Sequence, residues 1–239
     1  MSFNPRIFVK EIKPIDIEGG YLIDGFPSIG VTQAIATESM IHTSQFEMAG
    51  IIDSNSFPPV TIIKNGVPNY PTRIFVNNDL KTAIFSSYLT LHYSLHKTIA
   101  RIMLSWAKRH KCSFVLSSAP VNTPNVNDQV IAAVSNNAAK EIVEKAKISV
   151  LQYGTIPGIP GALLNQGMIN NQNVVVLLYN SDETKPNFKA STQLCLTMSK
   201  LVPGVSCDIP MLQKEAELAE EYIKEAEKQA SRMVDTMYG

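Results

Sequence analysis

Asn173-Val174-Val175-Val176-Leu177-Leu178-Tyr179 is the stretch that decides the fold. Four consecutive β-formers with no polar face do not suit a half-exposed element. They predict a strand buried on both sides, the centre of a sheet covered by helices above and below.

Outward from this run, strand-like and helix-like segments alternate. Toward the N-terminus, Gly154-Thr155-Ile156-Pro157-Gly158-Ile159-Pro160-Gly161 reads as a stiff loop, and Ala162–Met168 as a short helix. Ile148–Gln152 and Phe114–Ser117 read as strands, and Asp128–Lys145 as a helix. His92–His110 places Leu95, Ile99, Ile102 and Trp106 at helical spacing, with Lys97, Arg101, Lys108 and Arg109 largely opposite. Lys81–Tyr88 and Met48–Asp53 are further strands. Between them, Val60–Lys64 and Arg73–Val76 are expected to form a hairpin, with Asn65-Gly66 as its tight primed turn. Tyr21-Leu22-Ile23-Asp24 is a short strand running into Gly25-Phe26-Pro27-Ser28-Ile29-Gly30 and then a helix to about His42. Toward the C-terminus, Phe188–Leu201 is a helix. Repeated strand–helix–strand units imply an α/β protein with a mixed, mostly parallel central sheet and helices on both faces.

The chain divides into a core domain, residues 1–207, and a C-terminal helix with a docking tail, residues 208–239. Asp208 can cap this helix and Pro210 falls in its first turn. Leu212, Ala216, Ala219, Ile223, Ala226, Ala230, Met233 and Met237 then make a heptad seam. A continuous helix from Leu212 to Met237 would span about 38 Å. Two readings fit it: an amphipathic helix lying on its own domain, or a projecting or helix-paired arm that presents the chain end.

That end is Met237-Tyr238-Gly239. A hydrophobe fills an apolar slot. A penultimate phenol adds area and one hydrogen bond. A free carboxylate is a charge that a lysine or backbone amides can capture.

Composition narrows the function. The 239 residues carry 21 acids against 21 bases, with no basic block, so nucleic acid is not an expected partner. No apolar run approaches the length that spans a bilayer, and Met1-Ser2-Phe3-Asn4 does not read as the start of a signal peptide, so no membrane partner is expected. Cys112, Cys195 and Cys207 share no metal-like spacing. They are expected to be reduced, buried thiols in a cytoplasmic protein.

Little points to chemistry. The two glycine loops, Gly25–Gly30 and Gly154–Gly161, lack the Lys-Ser/Thr of a phosphate cradle, and Phe26 stands where a nucleophile elbow needs glycine. Tight turns are the expected role of both, although an anion could rest on the helix start near Ile29–Val31. His92 and His96 have a metal-compatible spacing but no third ligand. Asp24, Asp53 and Asp79 lie near predicted strand ends and could converge as a carboxylate site. No catalytic, cofactor or metal residues are assigned, and the chain is expected not to be an enzyme.

Leu22-Ile23-Asp24-Gly25-Phe26-Pro27-Ser28-Ile29-Gly30, Phe57-Pro58-Pro59, the Asn65-Gly66 turn, Ser105-Trp106-Ala107-Lys108, Pro157-Gly158-Ile159-Pro160-Gly161-Ala162-Leu163-Leu164 and the acidic arm after Pro210 occur in order. Together they resemble the proteasome assembly chaperones of the second type and their archaeal homologues. Ser28, Ser86-Ser87-Tyr88-Leu89-Thr90 and Ser117-Ser118-Ala119-Pro120 depart from the family pattern. The resemblance implies a three-layer α/β/α fold, phosphorylase- and hydrolase-like, without the catalytic residues. It implies a homo-oligomer that binds proteasome α subunits, as an assembly chaperone or an ATP-independent activator. Met237, Tyr238 and Gly239 then correspond to a docking motif for the proteasome α ring. The competing reading is a nucleoside-phosphorylase-like enzyme acting on a small nucleoside or phosphoester.

Overall fold

The structure, a computed structural model, describes residues 6–27, 32–121, 129–180, 188–208, 210, 212, 221–226 and 228–229. In chain order the elements are β1 (Ile7–Glu11), β2 (Tyr21–Gly25), α1 (Thr32–Thr43), β3 (Glu47–Ser54), β4 (Ile62–Lys64), β5 (Val67–Asn69), β6 (Thr72–Asn77) and β7 (Thr82–Ser87). They continue with α2 (His96–Arg109), β8 (Phe114–Val121), β9 (Ile131–Val134), α3 (Asn137–Lys145), α4 (Gly158–Asn170), β10 (Val174–Asn180) and α5 (Phe188–Leu201).

Eight strands form one mixed sheet in the order β1-β3-β6-β7-β2-β8-β10-β9. β7, β2, β8 and β10 are parallel neighbours at its centre. β1, β3 and β6 extend one flank antiparallel, and β9 closes the other. β10 is the doubly buried strand its composition demands. Val174, Val176 and Leu178 point into the core shared with α2 and α4, and Val175, Leu177 and Tyr179 into the core shared with α1, α3 and α5. Each such aliphatic side chain stabilises the fold by about 1.5–3 kcal/mol on burial.

Three local expectations are corrected. Asn65-Gly66 does make the primed turn, with φ of 54° and 75° at its two residues. It joins β4 to β5 in a separate two-stranded sheet. Arg73–Val76 belongs instead to β6, between β3 and β7. A two-residue turn pairs its immediate neighbours, and Val67 is closer along the chain than Arg73. The segment expected as one helix over Asp128–Lys145 splits. Ile131–Val134 completes the antiparallel edge against β10, and Asn136 then caps α3 by accepting the Ala139 amide at 2.9 Å. The glycine loop at Gly154–Gly161 ends earlier than expected, because α4 already begins at Gly158, whose φ is +76°.

The N-terminal edge strand β1 is fastened to α2 by one carboxylate. Trp106 Nε1 donates to Glu11 Oε1 at 2.8 Å, Arg109 donates to the same oxygen, and His110 Nε2 stands 2.9 Å from it. Among the described residues no helix is long and apolar enough to cross a membrane.

Candidate functional site

Met237, Tyr238 and Gly239 lie outside the described residues, as do Ser28, Ile29, Gly30 and Val31. The part of the C-terminal arm that is described lies on the body of the protein. Ile223 and Ala226 are buried to within 3% and 1% exposure, in the same core as α2 and α4. The heptad seam is thus satisfied here by the chain's own core. Beside them, the Tyr222 ring packs against that of Tyr88, with centroids 5.3 Å apart and planes inclined at 55°.

The seat under Tyr222 is polar inside and aromatic outside. Glu38, buried midway along α1, accepts from Ser86 Oγ of β7 at 2.7 Å and from Arg73 Nη2 of β6 at 3.3 Å. Its second oxygen accepts from the Tyr88 hydroxyl at 3.2 Å. The Arg73 guanidinium lies 4.6 Å from the centre of the Tyr88 ring and 4.9 Å from that of Phe75. Burial, and then the charge of Glu38, push the Tyr88 phenol well above its ordinary range, so it stays a donor. The cluster is a desolvated ion pair whose carboxylate is satisfied by a serine and a tyrosine, while Arg73 Nε finds no partner among the described residues, and it presents an aromatic face. Leu89, next in sequence, lines an open groove of about 570 Å³ together with Phe57, Pro58, Pro59, Tyr70 and Pro71.

A second polar cluster sits where β2 meets β8. The chain leaves β2 toward the β3 flank and leaves β8 toward β9, so this is a topological switch point. Asp24 is fully buried there. Its carboxylate accepts from Ser117 Oγ at 2.7 Å and from the Phe26 amide at 3.0 Å, and Gln33 of α1 donates to its backbone carbonyl. Burial pushes the Asp24 carboxyl up to about 6, against the hydrogen bonds from Ser117 and Phe26. Asp53 and Asp79 do not join it. Asp53 is on β3, three strands away, and Asp79 follows β6 at the opposite, amino end of β7. The convergent carboxylate site considered from the sequence is not formed.

The histidines are engaged locally. His92 accepts the Ser94 amide at the turn before α2, and His96 Nε2 lies 3.0 Å from the Leu91 carbonyl. Among the described residues no group of three or more His, Cys, Asp or Glu is placed to hold a metal ion. Gly161 is a packing glycine, since a Cβ there would collide with the Ile156 carbonyl oxygen.

The cysteines require a correction. Cys195 on α5 and Cys207, at the root of the arm, are joined as a disulfide with Cα atoms 6.2 Å apart. Spacing could not reveal this, because the pair meets only through the turn at Val202–Cys207. Cys112 remains a thiol, pushed up to about 12 by burial. Just beyond Cys207, the Asp208 carbonyl accepts the Leu212 amide at 2.9 Å, and Leu212 is buried against Ile35 of α1. Sequence reasoning placed Leu212, Ile223 and Ala226 on one apolar seam and allowed that the helix lies on its own domain, but did not say which residues receive it.

A family model described as the PAC2 family matches residues 22–227. Over 229 residues, 95% of this chain and 93% of its relative, the sequence is 23% identical to an uncharacterised protein of Methanocaldococcus jannaschii. The fold is similar to that of Pyrococcus furiosus PbaA, described as an archaeal homolog of proteasome-assembly chaperone. The TM-score is 0.78 at 24% identity, covering 94% of this chain and 99% of that one. It is also similar to Pyrococcus furiosus PbaB, described as an archaeal proteasome activator. There the TM-score is 0.70 at 19% identity, covering 92% and 98%.

Proposed function

The chain belongs to the PAC2 family, and from that premise we propose that it is a proteasome-interacting protein, an assembly chaperone or ATP-independent activator that docks its C-terminal tail into pockets of the proteasome α ring. The observation that carries this reading is the likeness, over nearly the whole chain, to one protein described as a proteasome-assembly chaperone homolog and another described as a proteasome activator. The tail supplies the chemistry. Met237 adapts to an irregular apolar slot. Tyr238 brings a rigid ring with a hydroxyl. The terminal carboxylate pairs with a pocket cation. A single tail binds weakly because three residues lose their freedom on docking. A cytoplasmic homo-oligomer carrying several tails would recover a factor of roughly 10²–10⁴ through effective concentration.

This activity needs no catalysis. The phosphorylase-like alternative would place its chemistry at the carboxyl edge of the sheet. There Asp24 and Ser117 are closed to solvent and bonded to each other. The test is a pull-down of purified α subunits with the full-length protein, with a version lacking Tyr238-Gly239, and with a C-terminally amidated version. Ring binding is expected for the first, none for the second and weakened binding for the third. Unchanged binding by the truncated protein would overturn the tail mechanism and move the interface to the α/β body.

A further inference from the structure

The Cys195–Cys207 pair closes a short loop at one particular place. Cys195 is wholly buried on α5, and Cys207 is half-buried in the turn that follows. Their Cα separation of 6.2 Å lies inside the usual disulfide range. Cys207 immediately precedes Asp208, whose carbonyl makes the first helical bond of the arm, to Leu212. Cys207 also packs against the Ile35–Leu212 pair, the contact that holds the first turn of the arm on α1. The third thiol, Cys112, is at the far end of α2, beside the turn into β8, and burial leaves it unreactive.

We infer that Cys195 and Cys207 form a redox-controlled clamp on the root of the C-terminal arm, set by thiol–disulfide exchange with a small disulfide or dithiol. Cys207 is the sulfur an exchange partner can reach. On oxidation its thiolate attacks one sulfur of the small disulfide and expels a thiolate. The Cys195 thiolate then attacks Cys207 Sγ and expels the second. Two protein thiols and one small disulfide become one protein disulfide and two small thiols. Reduction by a dithiol runs the same steps in reverse, starting at Cys207. In a compartment that keeps thiols reduced, the clamp is open by default and closes under oxidation. Closing it fixes the direction in which the arm leaves α5. Opening it leaves the root held by the Ser206 amide, which donates to Ser44 Oγ at 3.0 Å, and by Leu212 on Ile35. Any effect on α-ring docking rests on the function proposed above; the clamp itself does not.

The experiment uses the full chain, equilibrated with oxidised glutathione or with dithiothreitol. Alkylation under denaturing conditions counts the free thiols, and hydrogen exchange follows the amides of residues 208–229. The oxidised sample is expected to take one alkyl group and yield a cross-linked peptide joining Cys195 to Cys207. The reduced sample is expected to take one on each of its 3 cysteines. Arm amides should exchange at least about tenfold faster after reduction. Cys207→Ser, which alters only the half-buried partner, should show the faster exchange under both reagents. If exchange of the arm is equal in the two redox states, or if glutathione yields no Cys195–Cys207 peptide, the clamp is overturned. α-ring binding measured on the same samples keeps the two ideas apart. Failure of both forms to bind sinks the docking reading, while the exchange difference still upholds the clamp.

Discussion

Glu38 Oε1 and Arg73 Nη2 lie 3.3 Å apart with their side chains only 4% and 5% exposed. An ion pair is thus held between α1 and β6, beneath the ring of Tyr88 and the arm residue Tyr222 packed against it. Removing one partner alone would strand the other in a dry site. Arg73→Met is expected to cost about 3–5 kcal/mol, and the double change Arg73→Met with Glu38→Gln distinctly less. Urea unfolding midpoints at an unchanged m-value measure both. A double variant as unstable as the single one would show that the cost is packing and not the orphaned charge.

Asp24 makes stability fall as pH rises. Burial raises its carboxyl from an ordinary 3.8 to about 6 in the folded protein. The folded state therefore holds the proton more tightly than the unfolded chain. The stability Asp24 contributes is complete below pH 3.8 and is lost as pH climbs through about 6. A shift of this size corresponds to ~3 kcal/mol. Asp24→Asn should remove that dependence. Relative to the variant, the native protein should lose about 2–3 kcal/mol between pH 4 and pH 7.5 in denaturant titrations. A native protein that gains on the variant over this range would contradict the assignment.

The arm can be loosened without melting the sheet. Ile223→Asp places a charge where the residue is only 3% exposed, on the arm side of the core that β10 shares with α2 and α4. Limited proteolysis should cut the C-terminal segment at least several-fold faster, while the thermal midpoint of the body moves by only a few degrees. Global unfolding of the variant would mean that the arm is an integral layer of the core.

Gly161→Ala should be costly where Gly66→Ala costs less. At Gly161 the added methyl meets the Ile156 carbonyl oxygen, a backbone atom that cannot step aside. At Gly66 it meets open space and only the positive φ of 75° opposes it. Losses of about 1–3 kcal/mol and about 1 kcal/mol are expected respectively. Equal midpoints for the two variants in thermal melts would show that the loop before α4 repacks freely.

What the sequence disclosed followed the range of the interaction. β10, α2 and α5 declared themselves because an apolar run or a helical stripe is a property of neighbouring residues. β9 was hidden because Ile131–Val134 is short, weakly β-forming and continuous with the apolar positions of α3. β1, Ile7-Phe8-Val9-Lys10-Glu11, carries three apolar residues followed by two charged ones and shows no strict alternation to mark it as a strand. The Asn65-Gly66 turn was legible to the residue, while the strand it pairs was not. The polar clusters were out of reach. Glu38 and Arg73 are 35 positions apart, Asp24 and Ser117 are 93 apart, and nothing in either neighbourhood marks a partner. The disulfide, at a separation of 12, needed the path of the turn after α5. The docking reading of Met237-Tyr238-Gly239 rests wholly on residues at the chain end, outside the described residues.

The parallel pairing at the centre of the sheet sets a schedule for synthesis. β2 is laid down first, yet its neighbour β8 pairs Tyr21 with Phe114, and β10 pairs Val115 with Val174. At about 5–20 residues per second on the ribosome, β2 waits roughly 5–20 s for β8 and about 8–30 s until β10 completes the centre. Closing such distant pairs is slow. During that interval α1, and later α2, are made that cover Ile23 and Leu22, but the sheet edge of β2 that β8 will occupy stays unpaired. A nascent chain halted before Asn180 should therefore be sticky and protease-sensitive, and the protein should reach its native state only after nearly all of it has left the exit tunnel.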